Sequence, residues 1–170
     1  MNEAHAQLVQ MTKMLKNLSQ WLEIGVEHAK AKKFDPELLL AQRLAPDMYP
    51  LTRQIQAACD GVKFLAARAS GTQAPSHPDT ETTLDQIRAR IQAVLSYVEG
   101  FKPEQLEGWE KRTITMAFLP GKGSKAEDWL HEMSLPNTYF HFSMAYAILR
   151  HSGVTLGKTE FIGSLNLHDV

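Results

Sequence analysis

The sequence predicts an all-α fold of the four-helix-bundle kind with a small β-hairpin near 111–123, and three observations predict it. Four stretches repeat apolar residues at intervals of three and four, the signature of a helix with one buried face. Breaks rich in proline and glycine separate them. The 170 residues, 44% hydrophobic and 22% charged, have ordinary globular composition and suit one domain over 1–170 better than two separate cores. Four helices of this kind bury their stripes only against one another.

The first stripe runs from Glu3 to about Lys32 through Leu8, Met11, Leu15, Leu18 and Leu22, fading to Val26 and Ala29. It should stop near Phe34, because Asp35-Pro36 disfavours a helical aspartate and places proline in a new first turn. Pro36 to Leu40 then reads as a short helical turn, and Ala45-Pro46-Asp47 punctuates again. Met48, Leu51, Ile55, Ala58, Val62 and Leu65 form the second stripe, with Pro50 in its first turn and Gly71 as its stop.

The loop at 72–79 holds two prolines and no periodic apolar residue. Asp79 or Thr80 is the expected cap of the third helix, whose stripe is Leu84, Ile87, Ile91, Val94, Val98 and Phe101. Alternation over Lys111 to Phe118, followed by Pro120-Gly121-Lys122-Gly123, predicts a strand or hairpin on the rim. Ser124, Glu127 and Asp128 suit the start of a fourth helix, which runs to about His151, bends at Pro136 and ends at Gly153.

Eighteen basic side chains against nineteen acidic give a formal charge of −1, so no domain-wide positive field favours nucleic acid. No stretch approaches the ~20 apolar residues of a membrane span, and the N-terminal residues lack the apolar run of a secretory signal. Cys59 is the single cysteine, which excludes an intrachain disulfide and a thiolate-rich metal site and points to a cytoplasmic location. It falls beside the second stripe and reads as an inert core thiol.

The chemistry-bearing residues gather on the fourth helix. Asn137, His141, Met144 and Ile148 recur at intervals of four and three, which turns a carboxamide and an imidazole inward, one turn apart. Asp47, four residues before Leu51, extends the second stripe at its N-terminal end, where the helix dipole favours a carboxylate. Two readings follow: an Asp47/Asn137/His141 cluster holding a divalent metal or a small molecule, or an N-cap aspartate beside a core histidine bonded to a carbonyl or tyrosine.

His151 suits the helix C-terminus, His131 would share a site with His141 only across a bend, and His5, His28, His77 and His168 read as solvated. Arg43, Arg53 and Arg150 could anchor an anion or form surface pairs. Tyr139, Phe140, Phe142 and Tyr146 wind around the fourth helix and cannot share one core, which predicts either a homodimer contact or coverage by a loop.

RLAPDMYPLTRQIQAACD at 43–60 and LPNTYFHFSMAYAILRHSGVTLGK at 135–158, followed by Phe161-Ile162-Gly163, resemble the bacterial family named domain of unknown function nineteen ninety-three, over nearly the whole chain. That family is grouped with the DinB/YfiT-like superfamily. The resemblance implies an up-down-down-up four-helix bundle, commonly dimeric, with a divalent metal on three histidines. It also implies thiol-dependent transferases or isomerases among the relatives. The HxxxH of the superfamily falls on Asn137 and His141, and its second-helix histidine falls near Asp47. Asn is a poor zinc or nickel ligand, so an Asp/Asn/His set with waters suits a harder ion. The expectation is a DinB-like protein with an altered or vestigial metal or ligand pocket between the second and fourth helices, or else a metal- or thiol-dependent transferase or isomerase.

Overall fold

A computed structural model describes residues 2–116 and 118–169. It is mostly helical, with one two-stranded antiparallel sheet. The first helix, α1 (Glu3–Ala31), is capped by the Asn2 side chain, which accepts from the His5 amide, and buries the expected stripe together with Met14 and Trp21. It ends at Ala31, short of Asp35-Pro36: Lys33 takes the left-handed conformation, with φ at 61°, the Phe34 amide donates to the Ala29 carbonyl at 3.1 Å, and Asp35 then caps a 3-10 turn at Pro36–Ala41.

The second helix, α2 (Leu51–Ser70), begins later than its stripe suggests. Proline at 46 and 50 pushes Ala45 and Tyr49 out of the helical region. Pro50 becomes the N-cap, and Asp47 and Met48 lie in a turn ahead of the helix. Gly71 ends α2 in the left-handed conformation, with φ at 73°. Arg112 closes over that end, donating from Nε to the Ala69 carbonyl at 3.1 Å and from Nη2 to the Ser70 carbonyl at 3.1 Å. A cation thus satisfies carbonyls that the last turn leaves open.

The third helix, α3 (Leu84–Val98), is capped by Thr83 rather than by Asp79 or Thr80. Thr83 and Gln86 form a reciprocal capping box, while Asp79 is drawn to Arg53 and Arg90. Strands β1 (Thr113–Thr115) and β2 (Gly123–Lys125) pair antiparallel, with Ile114 opposite Ser124. The hairpin lies where the alternation and turn residues put it; Ala117 lies outside the described residues.

The fourth long helix is a composite of α4 (Ala126–Trp129), a π-helical turn (Leu130–Ser134) and α5 (Leu135–His151). The irregularity sits just before Pro136, which has no N–H to give to the preceding turn and would crowd its carbonyl. Thr138 Oγ1 donates to the Ser134 carbonyl at 2.7 Å, satisfying one acceptor there. One core of buried side chains joins α1, α2, α3 and α5, and Trp109 and Ile114 extend it under the hairpin.

The segment after α5 folds back on α1. Trp21 Nε1 donates to the Glu160 carbonyl at 2.8 Å and Asn17 Nδ2 to the Phe161 carbonyl at 3.0 Å. Phe161 stacks on Trp21 at 5.2 Å and meets Tyr146 edge-on at 5.5 Å. Coverage by the chain itself therefore accounts for Tyr146, and Phe142 lies in the core. Phe140 remains 49% exposed.

Candidate functional site

Helices α2 and α5 cross at Gly61 and Thr138. A Cβ on Gly61 would lie 2.9 Å from Thr138 Cγ2 and closer still to Oγ1, so only glycine admits this approach. Beside the crossing lies a cleft of about 320 Å³. From α2 it receives Arg53, Asp60, Phe64 and Arg68; from the fourth long helix come Trp129, Met133, Ser134, Asn137 and Thr138, with Phe118 from the hairpin turn. The π turn contributes Met133 and Ser134, so the backbone irregularity falls on the wall of the cleft.

Three groups on this wall stand out by what they lack. Ser134 Oγ and Trp129 Nε1 are buried without a hydrogen-bond partner among the described residues. Arg68 lies over the Phe64 and Trp129 rings, 5.1 Å from each centroid, and no carboxylate pairs with it among the described residues. Burial pushes its guanidinium below the usual arginine range.

The three residues singled out by spacing are placed differently from one another. Asn137 is half-buried on the cleft wall. His141 is buried one turn on, with Nδ1 2.7 Å from Gln54 Oε1. The Gln54 amide nitrogen donates to the Tyr49 carbonyl, at 3.4 Å, so its oxygen accepts from Nδ1–H and the imidazole lone pair falls on Nε2. Burial, and after it the charge of Arg53, lowers the His141 pKa and keeps the ring neutral at pH 7. Asp47 is exposed in its turn, where Arg43 braces the backbone by donating to the Pro46 and Met48 carbonyls, each at 3.3 Å. The partner facing His141 from α2 is Gln54, a residue hidden in the sequence because a glutamine beside Ile55 reads as the polar edge of a stripe.

Sequence spacing also missed a second polar cluster, on the α3 side of α2. Arg90 reaches Asp60 at 2.8 Å and Asp79 and Glu81 at 3.0 Å each. Lys63, as deeply buried, reaches Asp60 at 2.7 Å, and Gln56 donates to Glu81 at 2.8 Å. Burial raises the Glu81 carboxyl, but hydrogen bonds from its own amide and from Arg90 outweigh it and leave the pKa below the usual range. The signal was present: Arg90 interrupts the apolar stripe between Ile87 and Ile91.

The remaining candidates have simpler settings. His131 pairs with Glu3 at 3.1 Å and takes no part with His141. Arg150 donates to the Val154 carbonyl, and Arg53 pairs with Asp79. Cys59 is fully buried and burial pushes its thiol up to about 12, the inert state expected of it.

Residues 5–162 match the family described as domain of unknown function (DUF1993). The chain belongs to this family. It is also similar to a crystal structure of a DinB family member from Shewanella denitrificans, with 40% sequence identity and a TM-score of 0.91, covering 96% of this chain and 93% of that one. No curated protein matches. The likeness supports a place for this DUF1993 chain in the DinB-like superfamily.

A three-imidazole metal centre does not fit this DUF1993 chain. Of the positions where the resemblance would put such a centre, Asn137, His141 and near Asp47, only His141 carries an imidazole, and its Nδ1 is engaged by Gln54. Among the described residues no group of three or more His, Cys, Asp or Glu is placed to hold a metal ion. What the cleft offers instead is a set of donors beside aromatic surface. Among the described residues no helix is long and apolar enough to cross a membrane.

Proposed function

We propose that the chain is a DinB-like small-molecule-binding protein, an up-down-down-up four-helix bundle with an altered ligand pocket between α2 and the fourth long helix, which shares Asn137 with the positions that the superfamily's metal site would take. The observation that carries this reading is the cleft in which Arg68, without a carboxylate among the described residues, lies over the Phe64 and Trp129 rings, with Ser134 Oγ and Trp129 Nε1, two of the four buried side-chain atoms without a partner among the described residues, just beneath its wall. Each such atom costs the folded state about 1–3 kcal/mol, a cost that is relieved where the wall opens to a ligand. The cleft's volume of about 320 Å³ is at the small end of ligand sites.

A fragment screen by thermal shift tests the reading. At least one fragment class should raise the Tm of the wild type, since ligand at 100 times its Kd adds about 2.7 kcal/mol. The same fragments should leave Asn137→Trp, which fills the cleft, unmoved. Stabilisation that persists in the filled variant would place the binding elsewhere and end the proposal.

The same reading includes cytoplasmic residence, in keeping with a free buried thiol, and homodimerisation through the exposed Phe140 of α5. Sedimentation of the wild type as a dimer and of Phe140→Glu as a monomer is the expected result.

A second reading, metal- or thiol-dependent transferase or isomerase chemistry, is favoured by the His141 tautomer, whose Nε2 keeps its lone pair. A hard, hydrated divalent ion would draw on His141 and Asn137, with Asp47 contributing from its turn. Metal analysis of protein purified without chelator or affinity tag separates the readings: a stoichiometric ion lost on His141→Ala supports the second.

A further inference from the structure

We propose that the ligand of the α2–α5 cleft is a small amphipathic organic anion, an aryl carboxylate in its simplest form, whose charged head is met by Arg68 and whose apolar body lies along Phe64, Trp129 and Met133. This rests on the reading of the cleft as a small-molecule site and narrows it to one chemical class. The argument is one of complementarity. Donors prevail among the groups that lack partners at the wall: an indole N–H can only donate, a guanidinium can only donate, the Ser134 hydroxyl is free to donate, and the Asn137 carboxamide has two N–H bonds beside its one acceptor oxygen. The one acidic residue on the wall, Asp60, is already held by Arg90 at 2.8 Å and Lys63 at 2.7 Å. What the wall asks for is an acceptor.

The charges agree. Asp60, Asp79 and Glu81 are met by Arg53, Lys63 and Arg90, which leaves Arg68 without a carboxylate among the described residues. Its position over two aromatic rings fixes the guanidinium plane and keeps it partly out of water, where an anion gains more from a charge-assisted bond than it would at an open surface. Phe64, Trp129 and Met133 give the cleft of about 320 Å³ its apolar surface beside the guanidinium.

The test uses the full chain and two probes of equal shape, 2-naphthoate and 2-naphthamide, followed through the Trp129 indole N–H resonance, which Trp129→Phe identifies by removing it. Naphthoate should bind at least tenfold tighter than the amide and weaken as salt rises. Arg68→Gln should bring naphthoate down to the level of the amide, and Arg68→Lys should keep part of the preference. Equal binding of the two probes, or a preference that survives in folded Arg68→Gln, overturns the anion while the cleft as a small-molecule site stands. Failure of both probes to move the Trp129 resonance sinks this inference and the reading beneath it together. Should Arg68→Gln not fold, the salt dependence of the wild type decides: a carboxylate preference indifferent to salt overturns the proposal.

Discussion

Arg90 and Arg68 belong to polar clusters on two sides of α2, and they are treated in opposite ways. Arg90 is buried against α2 with three carboxylates around its Nη atoms, which match its charge although its Nε has no partner among the described residues, and the loop that supplies Asp79 and Glu81 is pinned by them. Arg68 faces the α5 side with aromatic rings for company and no carboxylate among the described residues. A buried charge that is matched holds structure in place, whereas donors left unmatched raise the energy of the free protein and lower it again only when something arrives. The first cluster accordingly reads as scaffold and the second as site.

The comparison makes predictions that differ in size and sign. The largest effect should come from Arg90→Met, which removes the one cation shared by Asp60, Asp79 and Glu81 and leaves them to Lys63, Arg53 and Gln56 respectively; urea denaturation should show a loss of about 3–5 kcal/mol. Arg68→Met, by contrast, should leave the unfolding midpoint nearly unchanged. A comparable loss for both would erase the distinction.

Next in size is Gly61→Ala. Alanine gains about 1 kcal/mol in helix propensity, yet its methyl must displace Thr138, and overpacking of this kind costs about 1–3 kcal/mol. Thr138→Ala made on top should recover part of the loss, a coupling that a double-mutant cycle measures.

A smaller, graded effect follows from His141. Its folded pKa is lowered below the unfolded value of about 6.5, so the unfolded chain binds the extra proton more readily. The stability contributed by the neutral ring is full above that value and is lost as pH falls through the window down to the folded pKa. His77 shifts in the same direction, through burial and then the charges of Lys63 and Arg90, and must be replaced to isolate the effect. In a His77→Gln background, the slope of stability between about pH 7 and 5 should flatten on His141→Gln; an unchanged slope removes His141 from the account.

Smallest is Ser134→Ala. Deleting a buried hydroxyl that bonds nothing should leave the protein as stable or up to about 1 kcal/mol more stable, while weakening any ligand of the cleft. Destabilisation above 1 kcal/mol would mean the hydroxyl is already satisfied.

The fold was legible wherever a local rule acts alone. α1 stops at Ala31, a little before the end expected near Phe34, Gly71 ends α2, the stripe from Leu84 to Phe101 is α3 as far as Val98, and the alternation over 111–118 with its glycine turn holds β1 and the hairpin. Boundaries set by competition were not: Pro50 stops α2 short of Asp47, and Thr83 displaces Asp79 as the cap because arginines claim the aspartate. The site was half legible. Periodicity put Asn137 and His141 on an inward face, and both lie there. It could not find Gln54, Arg68 or Ser134, because what marks them is the identity, or the lack, of a neighbour dozens of residues away. The pairing of Arg90 with Asp60 spans the same kind of distance, with only an arginine inside an apolar stripe to announce it.

The π turn at 130–134 has a geometric consequence for anyone who engineers this helix. Each residue of an α-helix advances the side-chain direction by about 100°, and the wider π turn takes up one extra residue so that the helix before it and the helix after it keep nearly the same phase. Deleting one residue from the turn would restore a uniform screw and leave the indole at 129 on nearly the same side of the axis, while removing the widened backbone and one of the side chains that it presents to the cleft. The shape of the cleft is stored in a count of residues as much as in their chemistry.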